Sequence, residues 1–238
     1  MADLLLNRET ISPTSQHIEY SSEKGSVSKI HLEDGSTIWL SSGTKLKLDK
    51  NDSGETTARL DGEAYFDLIP DADRKFTVDL GQFKVRDIGT IFNIRAYESE
   101  QTISTTLVEG RIDLIKNSAE SFLTVKPGEL VNYDKSNRNI VVHQQDPSIV
   151  TAWTEGKFVF IDQPLSEICK ELENWYNIEI QITDPKLVAS CQSPAFRSFH
   201  QPNYRVPNRN ISNHFRVSRV GRQAEKGVDV FLILIRQS

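Results

Sequence analysis

The chain has 238 residues, enough for one large domain or two small ones, and 37% hydrophobic with 26% charged residues is ordinary for a soluble globular protein. No apolar run reaches the roughly 18 residues that a membrane-spanning helix needs, and residues 1–6 lack the basic start and apolar length of a signal peptide. As written, the sequence therefore predicts an untargeted chain without an anchor. Its two cysteines, Cys169 and Cys191, do not make a disulfide framework.

Charge is distributed unevenly along the chain. The net charge is −5, yet residues 1–190 carry 20 basic and 31 acidic side chains while residues 191–238 carry 8 and 2. Seven of those 8 basic residues are arginines, whereas lysines dominate before the break. Such a change in composition marks a boundary between two regions of the chain.

The pattern from about residue 26 to residue 142 is that of short β-strands. Ile30 and Ile38 belong to two alternating apolar runs that flank Asp34-Gly35. Asp-Gly in this setting predicts a hairpin with a type I′ turn, which requires positive φ at both central residues. Further strands are predicted at 58–60, 64–68, 76–80, 83–88, 92–96, 102–107, 111–115, 122–125, 129–133 and 139–143. Short strands without an intervening helix predict a mainly β chain, with an antiparallel all-β domain built as a sandwich, a barrel or a solenoid-like stack.

The pattern changes after Pro147. A strand is predicted at 157–161, a helix that opens at Pro164, and a second strand at 178–182. Helical spacing puts apolar residues on one face of this helix and Glu167, Lys170, Glu171 and Glu173 on the other. The apolar face comprises Leu165, Ile168, Cys169, Leu172, Trp175 and Tyr176. A β-α-β unit of about 30 residues is too small to close a core alone, which predicts an incomplete α+β domain.

The arginine-rich tail does not complete that domain in any pattern visible in the sequence. Residues 191–227 show neither a period of 2 nor one of 3.6, and only 228–235 predict a strand. A change of reading frame near residue 190 explains this best, and a disordered basic arm is the second interpretation. Either way we expect residues 192–227 to be poorly ordered, and the open sheet edge before them to favour self-association.

Residues for catalysis or metal binding are not grouped in this sequence. The five histidines are scattered without H-x-H or H-x-x-x-H spacing, and there is no glycine-rich phosphate loop or G-x-S-x-G elbow. Glu63 and Glu109 each stand beside a glycine, where we expect them to cap turn amides rather than act as a catalytic pair. Cys169 is expected to be a small buried hydrophobe. The sequence thus predicts no catalytic, metal-binding or cofactor-binding residues and no enzyme.

Eight segments in order resemble the FecR family of anti-sigma regulators. They are Leu32–Leu40, Leu60-Asp-Gly-Glu-Ala-Tyr-Phe66, Ile88-Gly-Thr-Ile-Phe-Asn-Ile94, Thr105-Thr-Leu-Val-Glu-Gly110, Val125-Lys-Pro-Gly-Glu129, Trp153–Phe160, Pro164–Ile168 and Leu172–Ile178. The last three are similar to the start of the C-terminal domain of Bacteroidetes-type members, which is related to the short signalling domain of secretins and TonB-dependent transducers. The motif residues are Asp34, Gly35, Gly62, Glu63, Tyr65, Phe66, Gly89, Thr90, Phe92, Asn93, Thr105, Thr106, Glu109, Gly110, Pro127, Gly128, Trp153, Gly156, Phe160, Pro164, Leu165, Leu172, Trp175 and Tyr176.

The physical interpretation of these motifs is structural. Their glycines provide positive φ, a bulge or close approach of two backbones. Four aromatic residues are expected in the core or half-buried on a strand rather than on a binding platform, namely Tyr65, Phe66, Phe92 and Tyr97. The resemblance covers about residues 19–190. It implies a flexible segment at 1–18, a FecR-like all-β domain at 19–146, a partial signalling-type domain at 147–190 and an atypical tail at 191–238.

The resemblance also implies a function. The chain would be the extracytoplasmic part of a transmembrane anti-sigma regulator, periplasmic in its full-length parent, that relays a signal from the signalling domain of a TonB-dependent outer-membrane transporter. It would reach the sigma factor and the membrane only through a cytoplasmic part and an anchor that this sequence does not contain. No cofactor and no nucleic acid are expected, and the partner-binding residues are not assigned. The alternative is a carbohydrate-binding or adhesion β-module, for which three tryptophans make a weak aromatic platform.

Overall fold

The computed structural model describes residues 16–71, 75–87, 89–116, 120–160, 165–177, 179–182, 196–200, 214–223 and 230–237. Within them the chain is mainly β, as predicted. The strands are β1 (Gln16–Ser21), β2 (Ser28–His31), β3 (Thr37–Leu40), β4 (Lys45–Lys50), β5 (Thr56–Asp67), β6 (Phe76–Asp79), β7 (Lys84–Asp87), β8 (Ile91–Ala96), β9 (Thr102–Glu109), β10 (Ile112–Ile115), β11 (Ser121–Val125), β12 (Glu129–Asp134), β13 (Ile140–Gln144), β14 (Lys157–Phe160), β15 (Glu179–Ile182), β16 (Phe196–His200), β17 (His214–Gln223) and β18 (Val230–Gln237). The helices are α1 (Pro147–Thr151), a 3-10 helix (Ala152–Glu155) and α2 (Leu165–Tyr176).

Strands β1–β13 form one large curled sheet, which we call the β-domain. Its first half contains β1, β4, β6, β7, β10 and β11, and its second half contains β2, β3, β8, β9, β12 and β13. Both halves share β5, whose residues 56–61 pair with β4 and whose residues 62–67 pair with β8. The pairing is antiparallel except between β5 and β6, which run parallel and make the sheet mixed.

One continuous strand occupies β5, where the sequence predicts two short ones on either side of Gly62. Gly62 has φ +134°, and a Cβ at this position would lie 2.7 Å from the Thr44 Cα atom. The Thr44 hydroxyl accepts a hydrogen bond from the Glu63 amide at 3.0 Å and donates one to the Glu63 carbonyl at 3.1 Å. The strand therefore passes from one half of the sheet to the other at Gly62, where a side chain would clash with Thr44.

The predicted hairpin forms between β2 and β3, but its turn is not type I′. Gly35 has φ +86°, whereas Asp34 is not among the residues with positive φ. The Gly35 amide donates to the Leu32 carbonyl at 3.0 Å, and the Leu32 amide donates to the Ser36 carbonyl at 2.9 Å. This is a three-residue loop with a type I turn followed by a left-handed glycine. The type I′ prediction is wrong because the Asp34 carboxylate accepts the Ser36 amide at 2.8 Å, which holds Asp34 in the ordinary region.

One hydrophobic core cluster contains residues from both halves of the curled sheet. Phe66 is fully buried and stacks on Phe92 with ring centroids 4.8 Å apart, while Phe76 from the first half meets it edge-on at 6.0 Å. Both Phe66 and Phe92 were expected in the core. Tyr65 is half-buried on the opposite face of β5, where it meets Trp39 edge-on.

Helix α2 follows the predicted pattern. Ile168, Cys169, Leu172 and Trp175 are all buried, which confirms the apolar face for these four residues. The Leu165 and Tyr176 side chains and Pro164 lie outside the described part of the chain. Asn177 has φ +49°, a left-handed conformation that commonly ends a helix. No helix among the described residues is long and apolar enough to cross a membrane.

The tail contains more β-structure than the sequence predicts. Besides β18, the structure has β16, which pairs with β14, and β17, which pairs parallel with β15 and antiparallel with β18. The expectation of an irregular segment at 192–227 is wrong for these strands. The strand register shifts between Phe158 and Val159 and between Val217 and Val220, which interrupts the alternation of apolar side chains. A search of the sequence for a period of 2 therefore does not detect β16 and β17. The frame-change interpretation of the tail stays a prediction, and β1 begins inside the segment 1–18 that was expected to be flexible.

Candidate functional site

A cleft of about 1080 Å³ lies between helix α2 and the outer face of the second half of the β-domain. We call it the interdomain cleft. Alternation along β5 and β8 places the apolar residues of these strands in the core and their polar residues outside, towards α2. The lining residues that matter most for the chemistry of the cleft are Glu63, Asn93, Arg95, Trp153, Glu171 and Asn174.

Glu63 is the centre of a buried hydrogen-bond network. It stands directly opposite Arg95 in the β5–β8 register, and Asn93 is its diagonal neighbour on the same face. Its carboxylate accepts from Asn93 Nδ2 at 2.9 Å and from Arg95 Nη1 at 3.0 Å. Asn93 Oδ1 in turn accepts from the indole Nε1 of Trp153 at 3.2 Å. The network therefore links the β-domain to the 3-10 helix that precedes β14.

Arg95 holds a second carboxylate beside Glu63. Its Nε and Nη2 atoms donate to the two carboxylate oxygens of Glu100 at 3.0 and 2.6 Å, the bidentate geometry that a planar guanidinium favours. Its guanidinium carbon also lies 5.0 Å from the centre of the Tyr97 ring. Burial on its own would lower the pKa of Arg95, but the negative charges of Glu63 and Glu100 outweigh that and hold it above its usual value.

Glu171 brings another carboxyl group to the same place from α2. Burial raises its pKa to about 7 from the usual 4.5, Arg95 opposes the rise, and the charges of Glu63, Glu100 and Glu167 add to it. Helical spacing had put Glu171 on the polar face with Glu167, Lys170 and Glu173. All four residues line the cleft, and Glu171 is only partly exposed there.

Two further contacts join α2 to the β-domain side. The Ser42 hydroxyl donates to the Asn174 carbonyl at 2.6 Å and accepts from the Gly25 amide at 2.8 Å. This bond satisfies one of the carbonyl groups that the last turn of a helix leaves without an internal partner. The rings of Trp153 and Trp175 lie 6.2 Å apart, and both side chains are buried. Helix α2 is thus held by a bond at its C-terminal end and by an aromatic contact.

The predicted motif residues fall into separate groups in the structure. Glu63, Asn93, Trp153 and Trp175 meet at or beside the cleft, and Glu63 is not the turn cap that was expected. A second group surrounds the β7–β8 turn, where a Cβ at Gly89 would lie 2.5 Å from the Pro70 Cα atom and one at Gly110 would lie 2.6 Å from Thr90 Cγ2. Thr106 also lines the cleft. The remaining members are spread over other places in the chain, at Asp34, Gly35, Gly62, Tyr65, Phe66, Phe92, Thr105, Glu109, Pro127, Gly128, Gly156 and Leu172. The motif residues outside the described side chains are Phe160, Pro164, Leu165 and Tyr176.

Sequence reasoning missed Arg95, Glu100, Glu171 and Ser42. The sequence did contain a sign that Arg95 belongs to this site, because Arg95 lies on the same strand face as Asn93, two residues earlier. The others had none, since their roles depend on how α2 packs against the sheet. Among the described residues, no group of three or more His, Cys, Asp or Glu side chains is arranged to hold a metal ion.

Comparison with known proteins assigns the chain to a family. The FecR protein family matches residues 18–113, and the FecR C-terminal family matches residues 157–196, which extends beyond residue 190 where the resemblance was expected to end. No curated protein sequence matches the chain.

Two similar crystal structures come from Parabacteroides distasonis ATCC 8503, and each is of a candidate anti-sigma factor. The first, at 2.50 Å resolution, is 28% identical over 72% of this chain and 79% of that chain, with a TM-score of 0.64. The second, at 1.65 Å resolution, is 26% identical over 78% of this chain and 86% of that chain, with a TM-score of 0.67. With both FecR regions present in order on a shared fold, the chain belongs to the FecR family of anti-sigma regulators.

Proposed function

We propose that this chain is the extracytoplasmic module of a transmembrane anti-sigma regulator. It receives a signal from the signalling domain of a TonB-dependent outer-membrane transporter and passes it on towards an extracytoplasmic-function sigma factor. The transfer occurs by protein–protein contact in the periplasm, and the sigma factor is bound by a cytoplasmic part of the regulator. Family membership supports the regulatory role, and a family of regulators is not a class of enzymes.

The observation that supports this proposal is the polar character of the contact between α2 and the β-domain. A relay must change the arrangement of two units when a partner binds one of them. Interfaces between domains of one chain are typically more polar than permanent ones, and relative motion is the default for them. Here Glu63, Asn93 and Arg95 occupy the face of the β-domain that α2 covers, where a permanent interface would be expected to hold apolar residues. We accordingly propose residues 19–146 as the FecR-like all-β unit and residues 147–190 as a partial signalling-type unit, which we call the C-terminal unit. Residues 191–238 follow it as the tail.

The carbohydrate-binding alternative has less support from the described residues. Sugar platforms need exposed aromatic rings, and Trp153 and Trp175 are 5% and 8% exposed and face each other. Trp39 stands apart on β3 against Tyr65. A glycan array on the chain tests this alternative, which requires saturable binding to one glycan class.

The proposal is tested by binding between this chain and the purified signalling domain of each TonB-dependent transporter of the same organism. Isothermal titration calorimetry should show saturable one-to-one binding to one of them, and no binding to the same transporter without its signalling domain. A sigma-dependent reporter in cells should then lose its response when that transporter is deleted. The proposal is wrong if none of the signalling domains binds and the reporter still responds in a strain that lacks all of them.

A further inference from the structure

Acidic side chains outnumber basic ones where α2 meets the β-domain. Among the described residues that line the interdomain cleft, six carry carboxyl groups and two carry positive charges. The titratable and charged groups are Glu63 from β5, Arg95 from β8, Tyr97 and Glu100 from the turn after β8, Asp146 before α1, and Glu167, Lys170, Glu171 and Glu173 from α2. Of the two cations, Lys170 is exposed and Arg95 is partly buried.

Arg95 cannot compensate all of these carboxylates. It already donates to Glu63 through Nη1 and to both oxygens of Glu100 through Nε and Nη2. The two carboxylates of the β-domain therefore exceed the single positive charge of Arg95 even before α2 adds its own carboxyl groups. Glu171 meets a site whose net charge is already negative, and like charges in a partly desolvated place repel each other strongly.

The rest of the interface favours the docked position of α2. The Ser42–Asn174 hydrogen bond joins α2 to the β-domain directly. The Trp153–Trp175 contact joins α2 to the 3-10 helix, which the Trp153–Asn93 hydrogen bond holds against the sheet. None of these contacts depends on an ionised group on α2. The docked state is thus a balance between neutral contacts that favour it and one carboxyl group, Glu171, that favours it only when it carries a proton.

We propose that α2 docks reversibly on the second half of the β-domain, and that protonation of Glu171 closes this contact while its ionisation opens it. This pH-dependent contact would determine how readily the C-terminal unit separates from the β-domain when a partner binds. Only that use rests on the proposed function, since the docking equilibrium itself is a property of this chain.

The direction of the pH effect follows from the two states of Glu171. In the open state the group is in water and titrates at its usual pKa of 4.5, while in the docked state the pKa is about 7. The docked state therefore binds a proton between these values, and docking weakens as pH rises through this window. The docking constant should fall about tenfold per pH unit there, roughly three-hundredfold in all, and be flat above and below it.

The test uses tryptophan fluorescence of the full chain in a Trp39→Phe background, so that Trp153 and Trp175 are the remaining reporters. Between pH 4.5 and 8.5 the emission should shift to longer wavelength with a midpoint near or below 7 as the pair becomes exposed. Glu171→Gln keeps the size and removes the charge, so it should stay docked and show no transition in this range. Glu120→Gln is the matched control, an exposed glutamate before β11 that should leave the transition unchanged.

Far-UV circular dichroism at each pH shows whether the β-domain remains folded. The proposal is overturned if the parent chain shows no transition while folded, or if Glu171→Gln titrates as the parent does. It is supported if Glu171→Gln alone abolishes the transition. A chain that titrates as expected but binds no transporter domain would overturn the proposed function and leave this inference intact. The converse result would overturn the inference alone.

Discussion

The two halves of the β-domain each carry a charge cluster around a buried carboxylate, and the two clusters have opposite composition. In the first half, Asp113 on β10 is one carboxylate between two guanidiniums, with Arg86 and Arg111 each at 3.3 Å, and it also accepts from Thr124 at 2.7 Å. In the second half, Arg95 is one guanidinium between two carboxylates, and α2 adds a third. The first cluster is complete within the sheet, whereas the second depends on another part of the chain.

This difference appears in the pKa values. Burial alone would raise the pKa of Asp113, but hydrogen bonds from Thr124 and Arg86 and the charge of Arg111 bring it below its usual value. In the cleft, burial and neighbouring carboxylates raise the pKa of Glu171 to about 7. A cluster with its counter-charges on adjacent strands is suited to hold a sheet together. A cluster with excess like charge at a joint is suited to a contact that opens.

The largest expected effect is that of removing the cation from the second cluster. Arg95→Ala leaves the buried Glu63 carboxylate without its ion pair, which should lower the free energy of unfolding by about 3 kcal/mol, near the low end for broken buried pairs because Arg95 is partly exposed. Arg86→Ala is the matched control. Asp113 keeps Arg111 and Thr124, so the loss should be about 1 kcal/mol. Urea denaturation of both variants measures this, and equal losses would remove the contrast between the clusters.

The second-largest expected effect comes from the buried face of α2, the helix that brings Glu171 to the second cluster. Leu172 is 5% exposed, and Leu172→Ala should lower the stability of the C-terminal unit by about 2 kcal/mol or somewhat more, the lower range for large-to-small changes in a core. Trp153 and Trp175 fluorescence should report the loss, while the β-domain should melt as before. An unchanged thermal melt would mean that this helix face is not core and is available to a partner.

A third prediction separates the clusters by pH. The depressed pKa of Asp113 contributes stability that is present above its unfolded value of 3.8 and is lost as pH falls through the folded value. The raised pKa of Glu171 acts oppositely, so that lowering pH from 7 to 5 strengthens docking. Differential scanning calorimetry between pH 8 and pH 3 should show these two trends on separate transitions. A single transition that follows one trend throughout would contradict the separation.

The smallest expected effect is that of salt. Screening weakens repulsion between partly exposed charges, so 1 M NaCl at pH 8 should favour the docked state by a few-fold. At pH 5, where Glu171 carries its proton, the same salt should change docking little. Tryptophan emission at both pH values and at 0.1 M and 1 M NaCl provides the measurement. A larger salt effect at pH 5 than at pH 8 would contradict the assignment to Glu171.

The sequence predicts the elements of this fold better than their junctions. Alternation identified most strands, and helical spacing identified the buried face around Leu172. The turn at Asp34-Gly35 differed because a side-chain bond, invisible in a residue pattern, selected the turn type. Strands β16 and β17 were missed because bulges displace their apolar residues from strict alternation. The polar face of α2 was predicted with Glu171 on it, but the partial burial of Glu171 was not. That burial is created by packing of α2 on a distant strand, which no local pattern records.

The most direct test of this account is the titration of the Glu171 side chain itself. NMR detection of the carboxyl carbon in the labelled chain, assigned with Glu171→Gln, gives its pKa without reference to any docking signal. The account predicts a value near 7 in the intact chain, and a fall towards 4.5 in the Leu172→Ala variant if that variant loosens α2. A value near 4.5 in the intact chain would show that Glu171 is in water, and that the joint between α2 and the β-domain is not controlled by its charge.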